Sequence, residues 1–111
     1  MKTWIALTAE ETLSKILENS THKPQIIFKD STTCGISAHA KERLITDYNV
    51  IEDKADFYYL DLLTYRSLSN YIAKTLMVTH QSPQLIVIKD KKVVYSASHH
   101  AISALEIAKY L

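Results

Sequence analysis

At 111 residues, with thirteen basic and twelve acidic side chains, the chain is long enough for one domain and has neither the basic stripe of a nucleic-acid binder nor an acidic tail. Its single cysteine excludes an internal disulfide framework and a four-cysteine zinc site and points to a reducing compartment, and no apolar run reaches the length of a membrane span. Glu10 and Glu11 interrupt the N-terminal segment before a signal-peptide core could form, so one cytoplasmic domain over residues 1–111 is expected.

Trp4 to Leu7 reads as a short first strand. Thr8 followed by Glu11 has the spacing of a capping box, and Leu13, Ile16 and Leu17 supply the apolar stripe of a helix that ends near Asn19, before His22, Lys23 and Pro24. Gln25 to Lys29 is rich in β-branched and aromatic side chains, the pattern of a buried central strand. From Ile36 the period changes: Ile36, Ala40, Leu44 and Tyr48 recur every four residues, with Ile45 beside Leu44, which is helical spacing. Between strand and helix lie the turn and cap formers Asp30, Ser31, Thr32 and Thr33. With Thr33 as the N-cap, Cys34 falls in the first turn of the helix.

Ala55 to Asp61 is the next strand, and two strands joined by a helix of this length make a parallel βαβ unit with a right-handed crossover. A further helix begins at Ser67, carries Leu68, Ile72 and Leu76 on one face, and ends before His80. Gln84 to Lys89 and Lys92 to Ser96 pair as a hairpin around Asp90 and Lys91, without the glycine that such turns prefer. Ala101 to Leu111 closes the chain as a last helix, with Ile102, Leu105 and Ala108 on one face.

The chemistry concentrates at Cys34. Free N–H groups and the dipole at a helix N-terminus favour an anion, and a thiol placed there can titrate at roughly 3.5–7.5 instead of about 8.5. In Cys34-Gly35-Ile36-Ser37 a hydroxyl occupies the second position of a dithiol redox motif, so the site can attack a disulfide but needs an outside thiol to resolve the product. Ser37 either steadies the thiolate or bonds back to a helix carbonyl. His99 and His100 diverge as neighbours and lack a third ligand, which argues against a metal site; a solvated loop is the plain reading. His39 and His80 read as surface or structural residues, and Arg66 as a partner of Asp61 or a loop cap.

The order βαβαβ then αββα, with a cysteine opening the helix after the second strand and Pro83 opening the fourth strand, resembles the thioredoxin superfamily: an α/β fold with a central mixed sheet flanked by helices (βαβαβαββα). That resemblance implies a cis bond at Pro83 facing Cys34, with the backbone of Ser82 free to pair with a disulfide-linked substrate. The blocks from Phe28 to Ser37, Arg66 to Asn70, His80 to Gln84 and Ser96 to His99 are similar to the monothiol bacilliredoxins. This likeness implies that Cys34 exchanges with mixed disulfides between proteins and bacillithiol. It makes bacillithiol the co-substrate thiol and bacillithiolated proteins the partners, with no metal, nucleic acid or membrane involved. Cys34, Ser37 and Pro83 would then carry catalysis. Thr32, Thr33, Gly35, Ser82, Ser98 and His99 would line the substrate groove, and by comparison with glutaredoxins the last two would hold a carboxylate of the bound thiol.

Two rivals stay open at the level of sequence. The motif Cys34-Gly35-Ile36-Ser37 is one residue away from the Cys-Gly-Phe-Ser of monothiol glutaredoxins, which carry an iron–sulfur cluster with glutathione, although their glycine-rich loop before the last helix has no counterpart here. The other rival is a redox-inert binding module with a buried Cys34.

Overall fold

The computed structural model describes residues 4–111. Nine elements alternate as β1 (Trp4–Ala6), α1 (Glu10–Asn19), β2 (Gln25–Asp30), α2 (Gly35–Thr46), β3 (Asp56–Asp61), α3 (Arg66–Leu76), β4 (Gln84–Lys89), β5 (Lys92–Ser98) and α4 (Ala104–Ile107). The strands form one sheet in the order β1-β3-β2-β4-β5. β1, β3 and β2 run parallel, while β4 is antiparallel to β2 and β5 to β4. This is the βαβαβαββα thioredoxin-like architecture that the sequence pattern implies.

β2 is the axis, for all six of its residues are buried. Successive side chains point to opposite faces. Ile26 and Phe28 pack with Ala40 and Leu44 of α2 and with Ala104 and Ile107 of α4, whereas Ile27 packs with Leu13 and Ile16 of α1 and with Leu68 and Ile72 of α3. Burying one large apolar side chain contributes about 1.5–3 kcal/mol, so these two layers outweigh the weak propensities of the short elements.

Several boundaries differ from the expectation. α1 starts after Ala9 rather than after Thr8: Ala9 is the N-cap and has no side-chain cap bond, while Glu10 and Glu11 face the positive end of the helix dipole. In α2 the buried stripe is Ser37, Ala40 and Leu44, spaced three and four apart on one helical face, and Ile36 and Ile45 are exposed. The last helix is broken. His99–Ala101 is a 3₁₀ turn, Ile102 is extended so that its side chain reaches the core, and α4 has only four residues before a second 3₁₀ turn at Ala108–Tyr110. Leu105, expected on the inner face, is exposed, and Ala104 and Ile107 point inward instead.

The glycine-free hairpin turn has a local cause. Asp90 and Lys91 both adopt the left-handed conformation, with φ of 51° and 65°. Their N–H groups donate to the carbonyl and hydroxyl oxygens of Ser20 at 2.9 and 2.8 Å. Those bonds offset the steric penalty that glycine would avoid.

Candidate active site

Strand register assembles the site. Lys29 on β2 stands opposite Gln84 on β4, so the chain leaving β2 toward Cys34 and the chain entering β4 through Ser82 and Pro83 lie side by side at one end of the sheet. Gln84 also stands opposite Ser98 on β5, which brings the following turn to the same end. There the His99 N–H donates to the Pro83 carbonyl at 3.1 Å, and the Ser82–Pro83 peptide bond is cis. The turn also leans on α2, where Arg43 donates to the His100 carbonyl at 2.6 Å. His99 has φ of 54°, a conformation uncommon for a residue with a Cβ, so the loop is held in place at some steric cost.

Cys34 is the N-cap of α2, not a first-turn residue, and Thr33 lies outside the helix. The cap position keeps the functional logic, since it is where a side chain accepts from the second and third N–H groups of the helix. The Cys34 thiol is half-buried and forms no full capping bond in its neutral form. Its ionised form is favoured by the N–H of Ser37 foremost, then by that of Ile36, and also by the Ser37 hydroxyl; together these hold its pKa below the ordinary thiol value against partial burial and the Asp30 charge. Following thiolate absorbance against pH is therefore expected to give a midpoint below that of free cysteine, and a midpoint at or above it would remove the helix-terminus account.

Ser37 is fully buried, and the Ser31 N–H donates to its Oγ at 3.3 Å. The same hydroxyl is among the groups that favour the Cys34 thiolate, in keeping with the first of the two roles weighed from sequence. Ser37→Ala is expected to slow exchange severalfold while leaving turnover possible, and to cost about 1 kcal/mol of stability by orphaning the Ser31 N–H. A measured loss as complete as that of a cysteine replacement would contradict this assignment.

The remaining predicted residues lie on segments that the strand register brings to this end of the sheet. Thr32 and Thr33 are exposed beside Cys34, Ser98 and His99 are half-buried, and the Ser82 hydroxyl oxygen is buried without a partner among the described residues. Gly35 is exposed with open space where a Cβ would stand and has no positive φ, so nothing steric demands glycine there. Arg66 is exposed, and Asp61 accepts instead from the Leu63 N–H and the Thr64 hydroxyl.

Three residues were missed as site components. Asp30, read as a turn former, is the buried last residue of β2 and accepts from the Tyr59 hydroxyl, so a buried carboxylate does stand near Cys34. Lys29, read as the end of an apolar strand, has no exposed surface; its Nζ donates to the Ser69 carbonyl at 3.1 Å and lies 3.5 Å from His80 Nδ1. Burial pushes the Lys29 pKa down to about 8. His80 is likewise held below its ordinary value, by burial first and then by the Lys29 and Arg66 charges. The available signal was the pair Lys29-Asp30 itself, two charges continuing a strand whose other members are apolar or amide side chains.

Residues 5–107 match the family described as Monothiol bacilliredoxin BrxC. A solved structure described as a candidate oxidoreductase with a thioredoxin fold is 30% identical, with a TM-score of 0.82 over 97% of this chain and 93% of that one. Oxidized thioredoxin O2 from Arabidopsis thaliana, 17% identical with a TM-score of 0.74, covers 100% of this chain and 96% of its own. Mitochondrial thioredoxin 3 from Saccharomyces cerevisiae, 20% identical with a TM-score of 0.70, covers 99% and 97%. The two thioredoxins share the fold alone, whereas the family match spans nearly the whole chain and every residue of the Cys34 site. The chain belongs to the monothiol bacilliredoxin family, which assigns it a thiol redox function on a thioredoxin fold.

Proposed function

We propose that the protein exchanges bacillithiol with protein mixed disulfides through Cys34. The observation that carries this reading is a lone, acidified cysteine at the N-cap of α2 with a hydroxyl, not a second thiol, three residues on. The Cys34 thiolate attacks the bacillithiol sulfur of a protein–bacillithiol disulfide. A Cys34–bacillithiol disulfide forms, the old S–S bond breaks, and the protein sulfur leaves as a thiolate that takes up a proton from water. A second small thiol then attacks the bacillithiol sulfur and returns Cys34 as thiolate. Because the leaving and entering groups are both sulfur, the cycle needs neither a metal nor a separate base.

Ser37 supports the thiolate, and the Ser82 edge beside Pro83 pairs with the substrate. Thr32, Thr33, Gly35, Ser98 and His99 line the groove. Bacillithiol carries a malate with two carboxylates on a sugar, which suits hydroxyls, free N–H groups and an imidazole. Intact-mass kinetics are expected to show Cys34 modified faster by bacillithiol disulfide than by glutathione disulfide, with His99→Ala narrowing the gap and added salt weakening it, since exposed charge contacts are screened over about 8–10 Å. Equal rates with both disulfides would overturn the bacillithiol assignment; a glutathione preference accompanied by bound iron would favour a cluster carrier.

A further inference from the structure

Lys29 is fully buried, yet among the described residues its ammonium meets no carboxylate. Placing a charge in the interior with only neutral partners is costly, and an apolar side chain of similar volume would fit such a position with less penalty. What the ammonium does is tie three segments together. It stands on β2, the strand that leads into the Cys34 loop; Ser69 lies in the first turns of α3; and His80 begins the segment that runs through Ser82 and Pro83 into β4. The Ser69 hydroxyl is 3.3 Å from the same His80 Nδ1. An ammonium can only donate, so Nδ1 is the unprotonated ring nitrogen and the imidazole is fixed as the Nε2–H tautomer. Gln84, the register partner of Lys29, donates to the Thr79 carbonyl at 2.9 Å and holds the start of the same segment.

We infer that Lys29 is a positioning residue for exchange: through His80 and the Ser69 carbonyl it pins the segment from Thr79 to Pro83, and so sets where the Ser82 edge meets a disulfide held at Cys34. This rests on the exchange reading of Cys34. It does not act through thiol acidity, because the groups that move the Cys34 pKa are Ser37, Ile36 and Asp30. The charged and titratable groups near the ammonium are His80 from the segment, which also feels the Arg66 charge from α3, and, on β2 itself, Asp30, which is turned to the opposite face against Tyr59; the register neighbours Leu60 and Gln84 are uncharged.

The test compares two rates for wild type, Lys29→Met, His80→Leu and His80→Asn. Alkylation by iodoacetamide needs only the thiolate. Exchange with a synthetic peptide linked by a disulfide to bacillithiol needs the thiolate and the Ser82 edge. Alkylation should stay within about twofold of wild type in every variant, while exchange falls about tenfold in Lys29→Met and His80→Leu, the scale expected when a substrate edge is displaced by a fraction of an ångström. His80→Asn, whose Oδ1 stands where Nδ1 stood, should keep most of the rate, and the double variant Lys29→Met with His80→Leu should lose no more than either alone. Wild-type exchange should also decline on the alkaline side near pH 8, where Lys29 gives up its charge, and Lys29→Met should lack that limb. Parallel losses of alkylation and exchange, or exchange unchanged in both Lys29→Met and His80→Leu, would overturn the inference alone. A wild-type protein that is alkylated but does not exchange would overturn the exchange reading beneath it.

Discussion

Cys34→Ser is expected to eliminate thiol–disulfide exchange while leaving the fold intact. The chain has no other thiol, and a serine hydroxyl at that place cannot ionise enough near neutral pH to attack a disulfide. Ser37 cannot take over, since its oxygen is buried and already accepts from the Ser31 N–H. Nor should the replacement unsettle α2. Cys34 is half-buried at an N-cap, and serine is among the side chains that cap helices best, so the melting temperature should hold or rise. Circular dichroism and intact-mass exchange on the same preparation separate the two effects. Residual exchange in this variant would overturn the assignment of the chemistry to Cys34. Ser37→Cys is the informative companion: its hydroxyl already reaches the Cys34 sulfur, so a thiol there should close an internal disulfide and release bound bacillithiol without an outside resolving thiol.

The elements and their order were legible because each carries its own period. β2 reads as a continuous apolar run and is buried on both faces; α3 reads as Leu68 and Ile72 four apart and buries both. Where the reading slipped, tertiary packing overrode local signals. Thr8 and Glu11 have capping-box spacing, yet α1 starts after Ala9, because Leu7 is fully buried and its N–H donates to the Tyr59 carbonyl at 2.8 Å, which extends the chain past β1 and delays the helix. The last helix was drawn through residues 101–111 from apolar spacing alone, but one core position, Ile102, is filled from an extended backbone that a helix could not supply.

The site was legible in its outline and not in its support. Cys34, Ser37 and the Ser82–Pro83 segment lie in stretches with recognisable strand-to-helix and turn chemistry, and the sheet register brings those stretches to one end. Lys29, Ser69 and His80 are separated by 40 and 51 residues along the chain in their contacts, and nothing local in any of the three says that they meet. Asp30 was hidden differently: aspartate before serine and threonine is a turn signal, and only the hydrogen bond from Tyr59 on the neighbouring strand explains why it is buried at the end of β2.

Lys29→Met is expected to make the protein more stable, and by an amount that depends on pH in a defined direction. Burial lowers the Lys29 pKa from 10.5 to about 8, so between those values the unfolded chain keeps a proton that the folded chain has released. Stability therefore rises with pH across that window, and the penalty on the charged form is fully present below about pH 8. At 1.36 kcal/mol per pH unit the penalty is about 3 kcal/mol, an order-of-magnitude figure that Lys29→Met should recover near neutral pH. Other groups titrate nearby. Cys34, whose pKa is lowered, adds stability as pH rises toward its unfolded value, and Tyr58, Tyr59 and Tyr95, whose values are raised, lose it above about pH 10. Wild type and Lys29→Met share all of these; His80, whose lowered value depends in part on the Lys29 charge, titrates below its ordinary value of 6.5, so urea unfolding of the pair at matched pH from 7 upward isolates the lysine. The difference in stability should be largest at pH 7 and shrink steadily toward pH 10. A difference that stays constant would show that Lys29 is not held charged against its burial. A wild type more stable than the variant at pH 7 would show that the Ser69 and His80 contacts outweigh the desolvation, and would recast Lys29 as part of the scaffold. The expected result instead sets stability against exchange at one residue, as is common where a rigid scaffold holds a reactive edge in place.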